Sequence, residues 1–197
     1  MNIEILVALA VGFGLSASCG FRVFVPLLGI GMAARFGGLA LSGGFEWMGT
    51  DAALAAFAAA TTLEILAYYV PWMDNLLDTL ATPAAVIAGI IASAAVFVDL
   101  PPLVRWSVAI IGGGSAAGFV QGATVLLRAK SSLLTAGLGN PLLATVELAG
   151  SVLATVLALF LPALLLAILA LGILMTYRLT RRPASGSRPP AARQPPA

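Results

Sequence analysis

Three ionisable side chains, Arg22, Glu64 and Glu147, stand inside stretches of sequence that are otherwise apolar. An Arg or Asp at the centre of a membrane helix costs about 2.5–3.5 kcal/mol, so three such charges facing lipid would cost on the order of 8–10 kcal/mol. The whole stability of a domain is only about 5–15 kcal/mol. We therefore expect these side chains to pair, to lose their charge, to face water or to approach a membrane interface. In such a setting a carboxyl can bind and release a proton or a cation, and Arg22 is its natural counter-charge.

A polar side chain follows each carboxyl at a spacing of one helical turn. Tyr68 shares a helix face with Glu64, and Ser151 shares one with Glu147. A polar stripe that faces the interior of a bundle is what a hydrated or substrate-lined path requires. A structural role stays open, because charges in membranes often pair with one another and so fix the alignment of helices. The predicted path consists of Arg22, Glu64, Tyr68, Glu147 and Ser151.

A second polar cluster follows Pro71, where Asp74, Asn75 and Asp78 lie within about one helical turn. Hard cations favour oxygen ligands of this kind, although two carboxylates and one amide make an incomplete cage. The adjacent Trp72 is equally typical of an aromatic belt at a membrane surface. This cluster is therefore predicted to be either a gate or cation site, or an interfacial anchor on a short amphipathic helix.

The composition places the chain in a membrane. Of its 197 residues 60% are hydrophobic and 9% are charged, whereas soluble domains carry about 25% charged residues. Histidine is absent and Cys19 is the only cysteine, which excludes His-based metal ligation, a Ser-His-Asp triad and an internal disulfide. We predict no enzyme activity, no catalytic residue, no metal and no cofactor. We also expect no nucleic-acid binding, because membrane topology accounts for the Arg-rich tail.

The hydrophobic pattern predicts an all-α integral membrane protein, since a spanning helix needs about 20 mostly apolar residues. The first apolar segment contains several glycines, Arg22 and Pro26, and is either one tilted helix or a helix that breaks near Gly20. Pro162 separates the last two segments, which we interpret as a tight hairpin because together they are too long for one span. Six transmembrane helices are predicted, at 4–31, 51–71, 83–98, 103–127, 141–160 and 162–177.

The two halves of the chain look like one three-helix unit used twice. An odd number of spans inverts the second unit in the membrane, as in many secondary transporters. We therefore predict a first repeat at 1–100, a second repeat at 101–178, and a disordered Arg/Pro-rich cytoplasmic tail at 179–197. Three motif pairs support the repeat: Gly20-Phe21 with Gly118-Phe119, Thr62-Leu63-Glu64 with Thr145-Val146-Glu147, and Pro83-Ala84 with Pro162-Ala163.

The distribution of Lys and Arg predicts the orientation. With six spans, both termini and the loops at 71–82 and 128–140 share one side, and that side holds seven of the ten basic residues. Both termini are therefore predicted to be cytoplasmic. Small residues one turn apart, at Gly12-xxx-Ser16-xxx-Gly20 and Gly114-xxx-Gly118-xxx-Gly122, predict close helix packing and offer faces for a homo-oligomer. The predicted partners are the lipid bilayer and a small solute or ion.

Two strings carry a distinctive pattern: SASCGFRVFVPLL at 16–28, and EILAYYVPWMDNLLD followed by ATPAAVIAG within 64–89. They resemble the signature of a bacterial multi-pass membrane family that is catalogued only as a domain of unknown function. The resemblance covers most of 8–176 and implies a polytopic protein of the bacterial cytoplasmic (inner) membrane, without implying an activity. We interpret the chain as a small transporter or channel with a carboxylate-lined path. The alternative is a non-transporting scaffold or partner subunit whose buried Arg/Glu pairs are structural.

Overall fold

A computed structural model describes residues 3–69 and 73–180, and this part of the chain is all-α, as predicted. A π-helical turn at Ala109–Gly113 joins α5 to α6, and a short 3-10 helix at Glu46–Gly49 precedes α3. The helices are α1 (Ile3–Cys19), α2 (Phe24–Phe36), α3 (Asp51–Ala67), α4 (Met73–Val96), α5 (Pro102–Val108), α6 (Gly114–Thr135), α7 (Asn140–Phe160) and α8 (Pro162–Thr180).

Helix length and composition indicate a membrane protein. Among the described residues, three stretches are long and apolar enough to cross a bilayer: Thr79–Val96, Pro102–Thr135 and Asn140–Phe160. The apolar parts of α1 and α2 are shorter than a full span. The chain divides into two compact units, Met1–Leu166 and Ala167–Ala197, and the site described below lies wholly in the first.

Helix α1 packs against α4, α6 and α7, and it runs antiparallel to α4. The Ser16 hydroxyl donates to the Gly89 carbonyl at 2.6 Å. The Ser93 hydroxyl donates to the Gly12 carbonyl at 3.1 Å. Gly12 lies one turn before Ser16 in α1, whereas Ser93 lies one turn after Gly89 in α4, so the two helices are antiparallel. Small side chains on both faces make this close approach possible, because a bulky residue would force the two backbones apart.

Helices α1 and α2 run in opposite directions, which their contacts with α7 establish. Ser18 in α1 hydrogen-bonds Thr155 at 2.6 Å, and Arg22, after the end of α1, donates to the carbonyl of Ala144 at 2.8 Å. Later residues of this segment thus contact earlier residues of α7, so α1 and α7 are antiparallel. In α2, Gly29 again lies against Thr155, so α2 returns along α1.

The first apolar segment is thus a helical hairpin that turns at 20–23, and the prediction of one membrane span over 4–31 is wrong. The alternative of a break near Gly20 is confirmed, with the addition that the chain reverses there. Gly20 permits the turn to lie close to α6, because a Cβ at this position would be 2.5 Å from the Ala117 carbonyl oxygen. We call residues 20–23 the hairpin tip.

The reversal changes which segments share an end of the bundle. The rings of Phe13 and Phe97 pack edge to face with centroids 6.0 Å apart, and Ser42 donates its backbone N–H to the Ala95 carbonyl at 2.8 Å. The start of α1 therefore lies at the end of the bundle that holds 97–101, which we call the 97–101 end. The turn between α6 and α7 lies at the opposite, 136–139 end. The start of α1 therefore does not share an end of the bundle with the 136–139 turn, whereas the predicted arrangement of six spans places both on one side. The predicted cytoplasmic location of both termini stays a prediction.

Two helix boundaries also differ from the prediction. Helix α4 begins at Met73 and contains Pro83, so residues 74–78 belong to its first turns rather than to a separate short helix. A proline is tolerated inside a membrane helix when neighbouring groups satisfy the freed backbone carbonyl. Helix α6 continues to Thr135, which places Arg128 in a helix and not in the predicted loop.

Two of the three motif pairs that suggested repeats occupy different structural positions. Gly20-Phe21 lies in the hairpin tip, whereas Gly118-Phe119 lies inside the continuous helix α6. Pro83 lies within α4, whereas Pro162 begins α8. The six-span inverted repeat is therefore not confirmed by the described elements.

Candidate functional site

The hairpin tip places Arg22 in the interior of the bundle. Its side chain is buried, with the residue 2% exposed, and its Nη2 lies 3.5 Å from Oε2 of Glu147. The same nitrogen donates to the Ala144 carbonyl at 2.8 Å. Of the outcomes expected for a buried charge, Arg22 and Glu147 thus show pairing.

Glu147 has a second and closer cationic partner, Arg128. Nε of Arg128 donates to Oε1 of Glu147 at 2.9 Å, and Nη2 donates to Oε2, so the pair is bidentate. Both residues are buried. Arg128 was not among the predicted site residues, because the predicted apolar segment ends at residue 127. A signal was nevertheless present, because Arg128 lies eight residues before Ala136 and Glu147 eight residues after Gly139, as expected of facing residues in a helical hairpin.

Both guanidinium groups lie over the ring of Tyr68, at the end of α3. The guanidinium carbon of Arg22 is 3.8 Å from the ring centroid, and that of Arg128 is 4.1 Å from it. Tyr68 is itself buried. Cation–π contacts of this kind contribute about 2 kcal/mol or more when they are desolvated. Tyr68 therefore joins the end of α3 to the ion pairs formed by α6, α7 and the hairpin tip.

Glu64 does not pair with Arg22 but caps the second helix of the hairpin. Its Oε1 accepts the backbone N–H of Val23 at 2.8 Å, and its Oε2 accepts that of Phe24 at 3.1 Å. These donors belong to the first turn of α2, whose N–H groups have no partner within the helix and carry a partial positive charge. Glu64 thereby allows a helix to begin inside the bundle. Among the described residues no cation lies within salt-bridge distance of this carboxylate.

A groove with a volume of about 430 Å³ runs beside Glu64. It lies between the start of α2, the last turns of α3 and the segment of α4 around Pro83. Its walls are mostly apolar, and Glu64 and Tyr68 are the residues in them that carry polar side-chain atoms. The lining residues are Val23, Phe24, Ala60, Leu63, Glu64, Ala67, Tyr68, Leu80, Ala81 and Ala84.

The structure brings four of the predicted path residues together and places the fifth elsewhere. Arg22, Glu64, Tyr68 and Glu147 all converge on the hairpin tip. Ser151 is fully buried one turn further along α7, where its hydroxyl lies 3.2 Å from that of Ser18. It therefore belongs to the contact between α1 and α7. The side chains of Asp74, Asn75 and Asp78 lie outside the described residues.

Comparison with curated proteins and with solved structures finds no match. A family model does match, and it covers residues 9–182, which include the hairpin, the ion pairs and the groove. The family is described as "Domain of unknown function (DUF4126)". This extent of agreement confirms the resemblance found in the sequence. The chain belongs to the DUF4126 family of unknown function.

Proposed function

We propose that the protein moves a small solute or ion across the membrane, and that the hairpin tip is the central part of the path. The observation that carries this proposal is the hairpin itself. Helices α1 and α2 contain 17 and 13 residues, and their turn lies among buried charges. Non-helical backbone at membrane depth is tolerated where it is buried in protein or lines a water-filled cavity. Transporters commonly use the ends of such half-helices to bind substrates and ions.

Glu64 is the group in this cluster that is best suited to exchange a ligand. Arg22, Arg128 and Glu147 are held by one another and by Tyr68, so any movement of one disturbs the others. Glu64 instead accepts backbone N–H groups and lines the groove. A cation can bind to it and leave again without breaking an ion pair.

We propose that the membrane is the cytoplasmic membrane of a bacterial cell. Among the basic residues of the bundle, Lys130 lies near the 136–139 end, whereas Arg35, which pairs with Asp51, and Arg105 lie near the 97–101 end. The Lys/Arg rule therefore assigns neither end of the bundle to the cytoplasm.

Flux through proteoliposomes tests the proposal. Vesicles would be loaded with a panel of protons, alkali-metal cations and small labelled amines, and wild type compared with Glu64→Gln. The matched control is Glu46→Gln, which removes an exposed carboxylate far from the groove. We expect flux of at least one cation above that of empty vesicles, and a loss of about ten- to a hundred-fold in Glu64→Gln, since a charge-assisted contact is worth roughly 1.5–3 kcal/mol. Absence of flux for the whole panel, or equal flux in folded Glu64→Gln, would contradict it.

A scaffold role is the second candidate, and the bidentate Arg128–Glu147 pair favours it. Buried ion pairs can serve to fix the register of packed helices. In that case no cation of the panel would show flux above that of empty vesicles, and Glu64→Gln would change the oligomeric state. Flux measurements and size-exclusion profiles of the same variants separate the two functions, whereas a loss of stability in Glu64→Gln is expected from both.

A further inference from the structure

The shape of the groove suggests where its ligand comes from. Leu63 and Leu80, which line it, are 68% and 60% exposed. In a bundle that lies in a bilayer, exposed leucines at this level contact the hydrocarbon of the lipid. Helix α3 packs mainly against α2 and only weakly against α4, so the groove opens sideways between them. A molecule dissolved in the membrane can therefore reach Glu64 without first entering water.

The charge of the groove selects among such molecules. Both oxygens of Glu64 accept a backbone N–H, which is the hydrogen-bond pattern of an ionised carboxylate. A carboxylate offers about four lone-pair positions, so acceptor capacity remains for a further donor. A ligand that is only a hydrocarbon chain would leave the remaining lone pairs of the Glu64 carboxylate without a hydrogen-bond donor. Burying a charged group without such a donor costs free energy. A cationic donor at the end of an apolar chain would satisfy both the carboxylate and the walls.

We propose that the groove binds an amphiphilic cation, an ammonium group on an alkyl chain, which enters sideways from the bilayer. The ammonium group donates to Glu64 and the chain lies along Leu63 and Leu80. A volume of about 430 Å³ falls in the range of about 300–1,000 Å³ that accommodates small organic ligands. An aminophospholipid fits less well, because its phosphate would lie near the Glu64 carboxylate. This inference rests on the proposed function and names the substrate class for the same site.

Binding to the full-length protein in nanodiscs of zwitterionic lipid tests the inference. Labelled dodecylammonium and labelled dodecanol have the same chain, so their difference isolates the charge, and empty nanodiscs correct for partitioning into lipid. We expect wild type to bind dodecylammonium about ten- to a hundred-fold more tightly than dodecanol, as for one charge-assisted hydrogen bond. Glu64→Gln should lose this preference, and Glu46→Gln should keep it.

A second variant tests the groove independently, in case Glu64→Gln does not fold. Ala81→Phe fills the groove without touching the backbone donors of Glu64, and it should weaken binding of both ligands. Equal binding of the amine and the alcohol by wild type would show that only chains are bound and would overturn the inference. So would an unchanged amine preference in folded Glu64→Gln, or unchanged binding in Ala81→Phe. Cation flux that depends on Glu64 without preference for dodecylammonium would leave the proposed function standing and remove only this substrate class.

Discussion

At the scale of single residues, the cost of burying charge decides the roles of the two glutamates. Glu147 neutralises one of two arginines that are each about 97–98% buried, and it does so with a bidentate contact. Glu64 is only half-buried and is stabilised by the partial charge of a helix start, which is worth about 0.3–1 kcal/mol at an exposed site and up to about 2 kcal/mol in partly buried geometry. Removal of the Glu147 carboxylate should therefore lower the free energy of unfolding more than removal of the Glu64 carboxylate.

Replacing Glu147 with Gln should destabilise the protein much more than replacing Glu64 with Gln. Glu147→Gln removes the carboxylate that Arg22 and Arg128 share, and breaking a buried ion pair by removing one partner typically costs about 3–5 kcal/mol. Glu64→Gln should cost about 1–2 kcal/mol, because the amide oxygen keeps one backbone donor. Unfolding of the purified protein in mixed micelles by a denaturing detergent measures both. Equal destabilisation by the two substitutions would show that Glu147 is not the group that neutralises the arginines.

The sequence predicted these residues better than their partners. The cost of a charge in an apolar segment is local, and it predicted that Arg22, Glu64 and Glu147 would need partners. The partner of each charge depends on how helices are arranged, which hydropathy does not contain. For that reason the sequence offered Arg22 as counter-charge to both glutamates, whereas in the structure Glu64 accepts the N–H groups at the start of α2, and Arg128 was missed at the edge of its segment.

At the scale of elements, the hairpin depends on close contact between its turn and α6. Apolar periodicity indicates that a segment is helical, but it has the same form whichever way the helix runs. The glycines, Arg22 and Pro26 made a break within 4–31 one of two alternatives and gave no indication that the chain reverses there. Reversal requires donors at the start of α2 to be satisfied, and the residue that satisfies them, Glu64, is distant in the sequence.

Gly20→Ala should destabilise the protein by about 1–3 kcal/mol, the usual cost of overpacking. The added Cβ would lie 2.5 Å from the Ala117 carbonyl oxygen and 2.6 Å from Cβ of Val120, so the tip would have to move away from α6. Gly122→Ala is the matched control, because nothing lies within 4 Å of a Cβ at that position. It should be neutral or slightly stabilising, since Ala favours a helix over Gly. Unfolding curves that move equally for both variants would contradict the close packing of the tip.

At the scale of the whole molecule, the hairpin determines which segments share an end of the bundle. The beginning of α1 lies at the 97–101 end, and the turn between α6 and α7 lies at the other. A single span over 4–31 would give the opposite result, with the N-terminus on the same side as 136–139. Because the chain turns back at the tip, Arg22 reaches Glu147, and the N–H groups of Val23 and Phe24 reach Glu64 beside the groove.

The most direct test is therefore the side of the membrane from which single cysteines are labelled. A single cysteine would be introduced at one of three exposed positions, as Glu4→Cys, Asp99→Cys or Leu138→Cys. Each variant would also carry Cys19→Ala, which removes the buried native thiol. A membrane-impermeant maleimide would be applied to sealed vesicles of defined orientation. We predict that Glu4→Cys and Asp99→Cys react from one side and Leu138→Cys from the other. Reaction of Glu4→Cys from the same side as Leu138→Cys would show that the first segment crosses the membrane once, and the hairpin with its proposed path would be refuted.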